Sequence, residues 1–241
     1  MAMKRILTAI MLLCTLVSMQ AQKSRTATKG NANRPAAASK ADVREAVDMG
    51  LSVKWATCNI GASTPEGYGA YFAWGETKGS KDGKSQFSWK SYSLCKGSES
   101  TMTKYCTNAA YGTPDGQTQL SPEDDAARAK WGGEWRMPTC DEMKELLDKN
   151  NCEWTLTTQN KVAGYKVTSK KTGNSIFLPA GGFRDSSGGH YGAGHYGDYW
   201  SSTLNAKGGF EAYGFEFSVD FDAFISDGAR YCGQPIRPVC P

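Results

Sequence analysis

Residues 51–58, LSVKWATC, alternate along the chain. Leu51, Val53, Trp55 and Thr57 share one face, and Ser52, Lys54 and Ala56 the other. A period of two predicts a half-buried strand. EGYGAYFAWGE, residues 66–76, predicts a second, aromatic strand. The same period returns in the second half, in CEWTLTT, in AGYKVTSKK and SIFLPAGG on either side of Thr172-Gly173-Asn174, and in DYWSST. EAYGFEFSVDF, residues 211–221, puts Tyr213, Phe215, Phe217, Val219 and Phe221 on one face, against Glu216, Ser218 and Asp220. The closing GQPIRPVC carries Pro235 and Pro238, which suit an edge or irregular last strand.

Two segments change period. SPEDDAARAKW, residues 121–131, predicts a helix with Ser121 as N-cap and Pro122 in the first helical position. Its acids Glu123, Asp124 and Asp125 complement the helix dipole. PTCDEMKELLDKN, residues 138–150, predicts a second helix. Thr139 and Glu142 have capping-box spacing, and Met143, Leu146 and Leu147 form an apolar stripe. Asp141, Glu142 and Glu145 then read as dipole complement and solvated face. Between the halves, residues 77–118 are Gly-, Ser-, Lys- and Thr-rich. A connection that long predicts irregular structure pinned by Phe87, Trp89, Tyr92, Tyr105 and Tyr111. Early strands, two central helices and many later short strands define an α+β domain.

The N-terminus differs. Lys4 and Arg5, the apolar run Ile6 to Val17 and a small-residue end read as a signal peptide over residues 1–21. The run is too short to span a bilayer of about 30 Å. No later segment is apolar enough to cross a membrane. Residues 22–45 read as a disordered basic tether that cannot offset its ordering entropy by burial. Residues 46–241 form the folded domain. The formal net charge of +4 arises in the N-terminal part, because residues 42–241 hold 21 basic and 24 acidic side chains. That balance argues against nucleic acid as a partner.

Beyond Cys14 there are seven cysteines, and their odd number leaves one unpaired. Cys95 and Cys106 flank a short loop whose length allows a disulfide. Cys58 and Cys240 lie in the first and last strands and pair only if those strands are neighbours. Cys140 and Cys152 bracket a helix, roughly 18 Å apart, beyond bridging reach. The alternative is that most of the thiols are small buried apolar groups.

Both histidines fall in GGHYGAGHYGDYW, residues 188–200. A metal site at His190 and His195 needs further ligands held rigidly, and the glycines argue against that. The aromatic content argues against a passive spacer. Tyr and Gly together have the chemistry of a recognition loop. His190, Tyr191, His195, Tyr196 and Tyr199 are therefore the expected ligand contacts, with Arg184 and Asp185 in the same stretch. Asn205, Asp227, Arg230 and Tyr231 follow in later loops. Trp200 is assigned to the core. No G-x-S-x-G or H-E-x-x-H is present, and Asp220 and Asp222 read as exposed polar positions rather than a catalytic carboxylate pair. No catalytic residue, metal or cofactor is expected.

VDMGLSVKWATCNIGA, YGAYFAWGET, SPEDDAARAKWGGEWRMPTCDEM, GYKVTSKKTGNSIFLPAGGFR, YWSST and IRPVC occur in that order. Together they resemble the Fibrobacter succinogenes major paralogous domain family over about residues 46–241. The resemblance implies a C-type-lectin-like fold, with two helices packed on short, mostly antiparallel strands joined by long loops. It is related to the sulfatase-modifying, formylglycine-generating domains and to some retroelement-diversified variable proteins. It further implies that the first and last strands pair, which favours Cys58 facing Cys240, and that residues 183–200 and 203–232 form the ligand face. The Glu-Pro-Asn, Gln-Pro-Asp and Trp-Asn-Asp motifs of calcium-dependent lectins are missing. Cys232 and Cys240 do not match the reactive pair of formylglycine-generating enzymes. The function implied is an exported, non-catalytic binding module, extracellular, at the outer cell surface or periplasmic, that recognises a protein or glycan. The alternatives are a cysteine-dependent sulfatase-modifying-type enzyme and a structural subunit of a surface assembly.

Overall fold

The computed structural model describes residues 44–80 and 87–241. The predicted signal peptide and all but the last two residues of the predicted tether lie outside them. The described chain is α+β, built from small antiparallel sheets and two short helices.

Strands β1 (Ala46–Val47), β2 (Lys54–Ala56) and β11 (Val239–Cys240) form one sheet in the order β1-β2-β11. The first and last segments of the domain are thus paired, Val239 opposite Trp55 and Cys240 opposite Lys54. Strands β3 (Cys152–Gln159), β4 (Val162–Ser169) and β5 (Ser175–Pro179) form a meander. Its first turn has Asn160 and Lys161 both at positive φ, the geometry of a two-residue hairpin loop. The third sheet comprises β8 (Tyr196–Leu204), β9 (Glu211–Ser218) and β10 (Phe224–Ala229) in the order β10-β9-β8. Between meander and third sheet, β6 (Phe183–Arg184) and β7 (His190–Tyr191) make a two-stranded hairpin.

The β8–β9 pair is apolar on both faces, because a separate core lies on each side. Tyr199, Phe215 and Phe217 point into a core with Trp55, Met143, Leu146, Tyr165, Val167 and Leu178. Trp200, Leu204 and Ala212 point into another with Phe72, Trp74, Tyr105, Met137 and Ile236. Trp200 is fully buried, and its indole N–H donates to the Phe72 carbonyl. A third cluster of Tyr71, Phe87, Tyr92, Met102 and Cys106 packs with Trp89 and Tyr111. The described part of the 77–118 connection is therefore irregular but pinned by its rings, as its composition predicts. Tyr105 alone among those rings turns into the second core.

Helix α2 (Cys140–Leu147) carries the predicted capping box, with Thr139 and Glu142 satisfying each other's backbone N–H groups. Helix α1 (Ala126–Trp131) starts later than the sequence pattern indicates. Asp125, not Ser121, is its N-cap and also accepts the Met137 N–H at 2.8 Å. The Ser121 hydroxyl and Asp124 carboxylate are taken by the Tyr105 hydroxyl, at 2.8 and 2.6 Å, so residues 122–124 close into a turn instead. The second aromatic strand, expected at 66–76, is reduced to isolated bridges at Tyr71 and Phe72.

Neither expected disulfide forms, and all seven described cysteines are free. Cys240 faces Lys54, so the β2–β11 register carries Cys58 toward Ile236, four residues away from Cys240. Four strand steps amount to about 13 Å, beyond the reach of a disulfide. The Cys95 thiol donates to the Trp89 carbonyl and the Cys106 thiol to the Asn108 carbonyl, each at 3.2 Å.

What locks the termini into the fold is a buried guanidinium. Arg237 is 1% exposed. It donates to Asn59 Oδ1 at 2.8 Å, to the Ala56 and Thr57 carbonyls at 3.0 and 2.8 Å, and to the Phe177 carbonyl at 2.9 Å. One side chain thus ties the end of β2, the β5 strand and the last segment together. Replacing Arg237 by Met would leave these acceptors buried and unsatisfied. Arg237→Met is expected to destabilise the protein by at least about 3 kcal/mol. Urea unfolding should show a lower midpoint with an unchanged slope.

Candidate functional site

The histidine-bearing stretch folds through its glycines. Phe183 pairs with Tyr191 and Arg184 with His190. Gly182 has φ +58°, and a β-carbon there would strike the Tyr191 carbonyl, so only glycine lets the hairpin return against its own base. The connecting turn is stitched by short polar contacts. Asp185 accepts the Ser187 N–H at 2.8 Å, and the Ser187 hydroxyl meets the Gly189 N–H at 3.1 Å and the Tyr191 hydroxyl at 2.7 Å. The Phe183 and Tyr191 rings stack at 5.4 Å. A second turn at Gly192, whose carbonyl accepts the N–H groups of His195 and Tyr196, delivers the chain into β8. The stretch is a built hairpin, with its glycines used for turns.

The two histidines have separate partners. His190 Nε2 lies 2.6 Å from the Gly181 carbonyl and 2.7 Å from the Tyr71 hydroxyl. Burial, followed by the nearby Arg184 charge, holds its pKa below the usual histidine value even though the Gly181 carbonyl favours the charged form. Arg184 stacks its guanidinium over the Tyr71 ring at 4.8 Å. His195 Nε2 instead meets Asp220 Oδ2 at 3.0 Å. Among the described residues, no group of three or more His, Cys, Asp or Glu side chains is placed to hold a metal.

Several expected contacts are structural. Tyr199 is fully buried, stacked on Phe215 at 4.9 Å, with its hydroxyl donating to the Pro179 carbonyl. Arg230 is fully buried as well. Its guanidinium donates to the carbonyls of Lys104, Tyr105 and Gly209 and to the Tyr92 hydroxyl, and sits 4.9 Å from the Trp74 ring. Alternation and loop position cannot mark such a residue, because carbonyl acceptors leave no sequence trace. Asn205 is buried and donates to Asp227 Oδ2 at 2.7 Å, so both serve the turn into β9, although Asp227 is exposed. Tyr231 is half-buried, edge-on to Trp89 at 4.8 Å. The ligand candidates left at the surface are Arg184, Asp185, His190, Tyr191, His195 and Tyr196.

Two exposed rings join them that periodicity assigned to the interior. The alternation over 211–221 breaks at Ser218, whose hydroxyl accepts the N–H groups of Asp220 and Phe221 and turns the chain. Phe221 and Phe224, 37% and 47% exposed, therefore face solvent, as does Tyr191 at 43%. Tyr196 lies 6.1 Å from Phe221, and Phe221 lies 5.6 Å from Phe224. The same turn separates Asp220 from Asp222, which pairs with Lys149 at 2.8 Å, so no paired-carboxylate site exists there.

Beside these rings, Asp198 of β8 stands directly opposite Glu216 of β9. The Asp198 Oδ2 atom is buried without a hydrogen-bond partner. Burial first, and Glu216 second, push its pKa up to about 7, and burial also raises Glu216. Burial likewise pushes up the thiols of Cys58, Cys140 and Cys240, that of Cys152 to about 11 and that of Cys232 to about 12.

No family model, curated protein or solved structure matches the chain.

The raised Asp198 pKa has a signed consequence. The folded protein holds this proton more tightly than the unfolded chain does. Stability therefore falls as pH rises from about 4 to about 7 and stays reduced above that. Asp198→Asn should be more stable than the parent by about 2–4 kcal/mol at pH 8 and no more stable at pH 4. Chemical denaturation at the two pH values measures this, and equal differences at both would contradict it.

Proposed function

We propose that this protein is an exported, non-catalytic binding module that recognises a protein or glycan ligand at or beyond a bacterial cell surface. The observation that carries the reading is the band of outward aromatic rings formed by Tyr191, Tyr196, Phe221 and Phe224 on a frame with closed cores. Rings of this kind supply large contact area at low side-chain entropy cost and dominate binding energy at interfaces. His190 and His195 border them with polar edges. The hairpin's internal hydrogen bonds hold Tyr191 in place before any ligand arrives, which lowers the ordering cost of association.

The major paralogous domain and its C-type-lectin-like fold remain the best frame for this reading. The paired first and last strands, the capped second helix and the late loops gathered near the aromatic band all support it. The thiol environments favour binding over cysteine chemistry, since a thiol with a raised pKa yields little thiolate at neutral pH. An exported setting rests on the leader pattern of residues 1–21.

The Tyr191→Ala, Phe221→Ala, Phe224→Ala triple variant tests the reading. Against ligands found by glycan array and by surface-protein capture with the purified parent, it should lose at least about tenfold in affinity. Its thermal melt should match the parent's, because all three rings are exposed. Full retention of binding would reject the assigned surface.

A further inference from the structure

Resting on the binding reading above, we infer that the cross-strand row Asp198–Glu216–Phe224 seats a basic side chain, the ammonium or guanidinium of a lysine or arginine presented by a protein partner.

The row is fixed by register. Asp198 of β8 is opposite Glu216 of β9, and Glu216 is opposite Phe224 of β10. Residues directly opposite in an antiparallel sheet put their side chains on the same face. Two carboxyl groups and an exposed phenyl ring therefore stand side by side, on the face of β8 that also carries Tyr196. Like charges directly opposite are unfavourable in a sheet. The usual remedy is a nearby cation, and here none is supplied. Among the described residues no lysine or arginine forms an ion pair with either carboxylate. The groups that act on Asp198, or that its charge reaches, are Glu216, Tyr71, Tyr199 and Cys232, each acidic or neutral. Arg184, the basic residue on the adjoining hairpin, spends its guanidinium on the Tyr71 ring.

The second observation is the orphan atom. Asp198 is 9% exposed, and its Oδ2 has no donor in the protein. A buried acceptor without a partner is costly, and such groups are uncommon in folded proteins. An incoming ammonium or guanidinium would meet several needs together. It would donate to the carboxylates, neutralise their mutual repulsion and lie against the Phe224 ring, which attracts cations at its face. The aromatic neighbours Tyr196 and Phe221 would exclude water from the contact. A neutral sugar hydroxyl lacks the charge that the row calls for, so the chemistry favours a basic protein segment.

Titration of the purified full chain with Nα-acetyl-lysine methylamide and Nα-acetyl-arginine methylamide, followed by amide chemical shifts, tests this. Saturable shifts should centre on Asp198, Glu216 and Phe224, and the uncharged isostere Nα-acetyl-norleucine methylamide should bind at least tenfold more weakly. Asp198→Asn with Glu216→Gln should lose at least tenfold for lysine, and Phe224→Ala a few-fold. Glu216→Gln alone, at a half-exposed position, should weaken binding with an unchanged melt, which guards against misfolding of the double variant. At pH 6.5 lysine binding should release a proton, seen as a binding heat that depends on the buffer. Equal binding of lysine and norleucine amides, or an unaffected double variant, overturns the seat. A glucosamine tetramer that binds as tightly as the lysine amide and is lost in the same variant overturns the assignment to a protein partner. The exposed-ring triple variant fails or succeeds on the selected ligand instead. A wrong seat and a wrong binding surface therefore give different results.

Discussion

The arrangement depends on a charge placed where water cannot reach it. Arg237 enters the interior from the last segment of the chain and donates only to Asn59 and backbone carbonyls. A buried guanidinium is tolerable only when its donors are matched, and matching it here requires Ala56, Thr57, Asn59 and Phe177 to converge. Asn59 extends the network, donating to the Tyr68 carbonyl and the Tyr199 hydroxyl. Tyr199 then reaches the Pro179 carbonyl at the end of β5. The polar interior thus specifies how β2, β5, β8 and β11 sit together, while the apolar cores on either side supply the bulk of the driving force. Arg230 repeats the device in the long connection, holding Lys104, Tyr105 and Gly209 by their carbonyls between the Trp74 and Tyr92 rings.

A frame locked this way can carry a rim that is rigid without being buried. The Gly182 and Gly192 turns set the hairpin on the frame, and Ser187 stitches its tip. The Ser218 turn brings Phe221 out beside Tyr196. At the same edge the sheet keeps two carboxyl groups face to face. Aromatic exposure and unrelieved negative charge are both costs to the free protein. Their occurrence on one edge is what a surface awaiting a partner would show.

Much of the frame was legible in the sequence. Period-two segments located the meander and the third sheet, and the Thr139–Glu142 spacing located α2 because its capping is local chemistry. The assignment of Trp200 to the core also matches the structure. Failures occurred where tertiary contacts overrode local signals. Ser121 and Asp124 look like the start of a helix, but Tyr105, sixteen residues or more away, claims both. Tyr199 and Arg230 sit in a stretch rich in surface residues yet are consumed by the interior, Tyr199 by ring stacking and Arg230 by distant carbonyls. Phe221 continues an alternating pattern, yet one serine hydroxyl ends the strand before it. The Asp198–Glu216 pair has no sequence signature, because it exists only through the register of β8 on β9.

Native-state hydrogen exchange tests the central claim most directly. If the buried Arg237 network locks the paired termini while the hairpin tip stands outside that lock, the Ala56 and Ile60 amides, which donate to Pro238 and Ile236, should exchange only through global unfolding. The Gly188 and Gly189 amides at the hairpin tip should exchange orders of magnitude faster under the same conditions. Exchange of Ala56 and Ile60 at rates comparable to those of Gly188 and Gly189 would show that the ends of the chain are not locked, and would contradict the account.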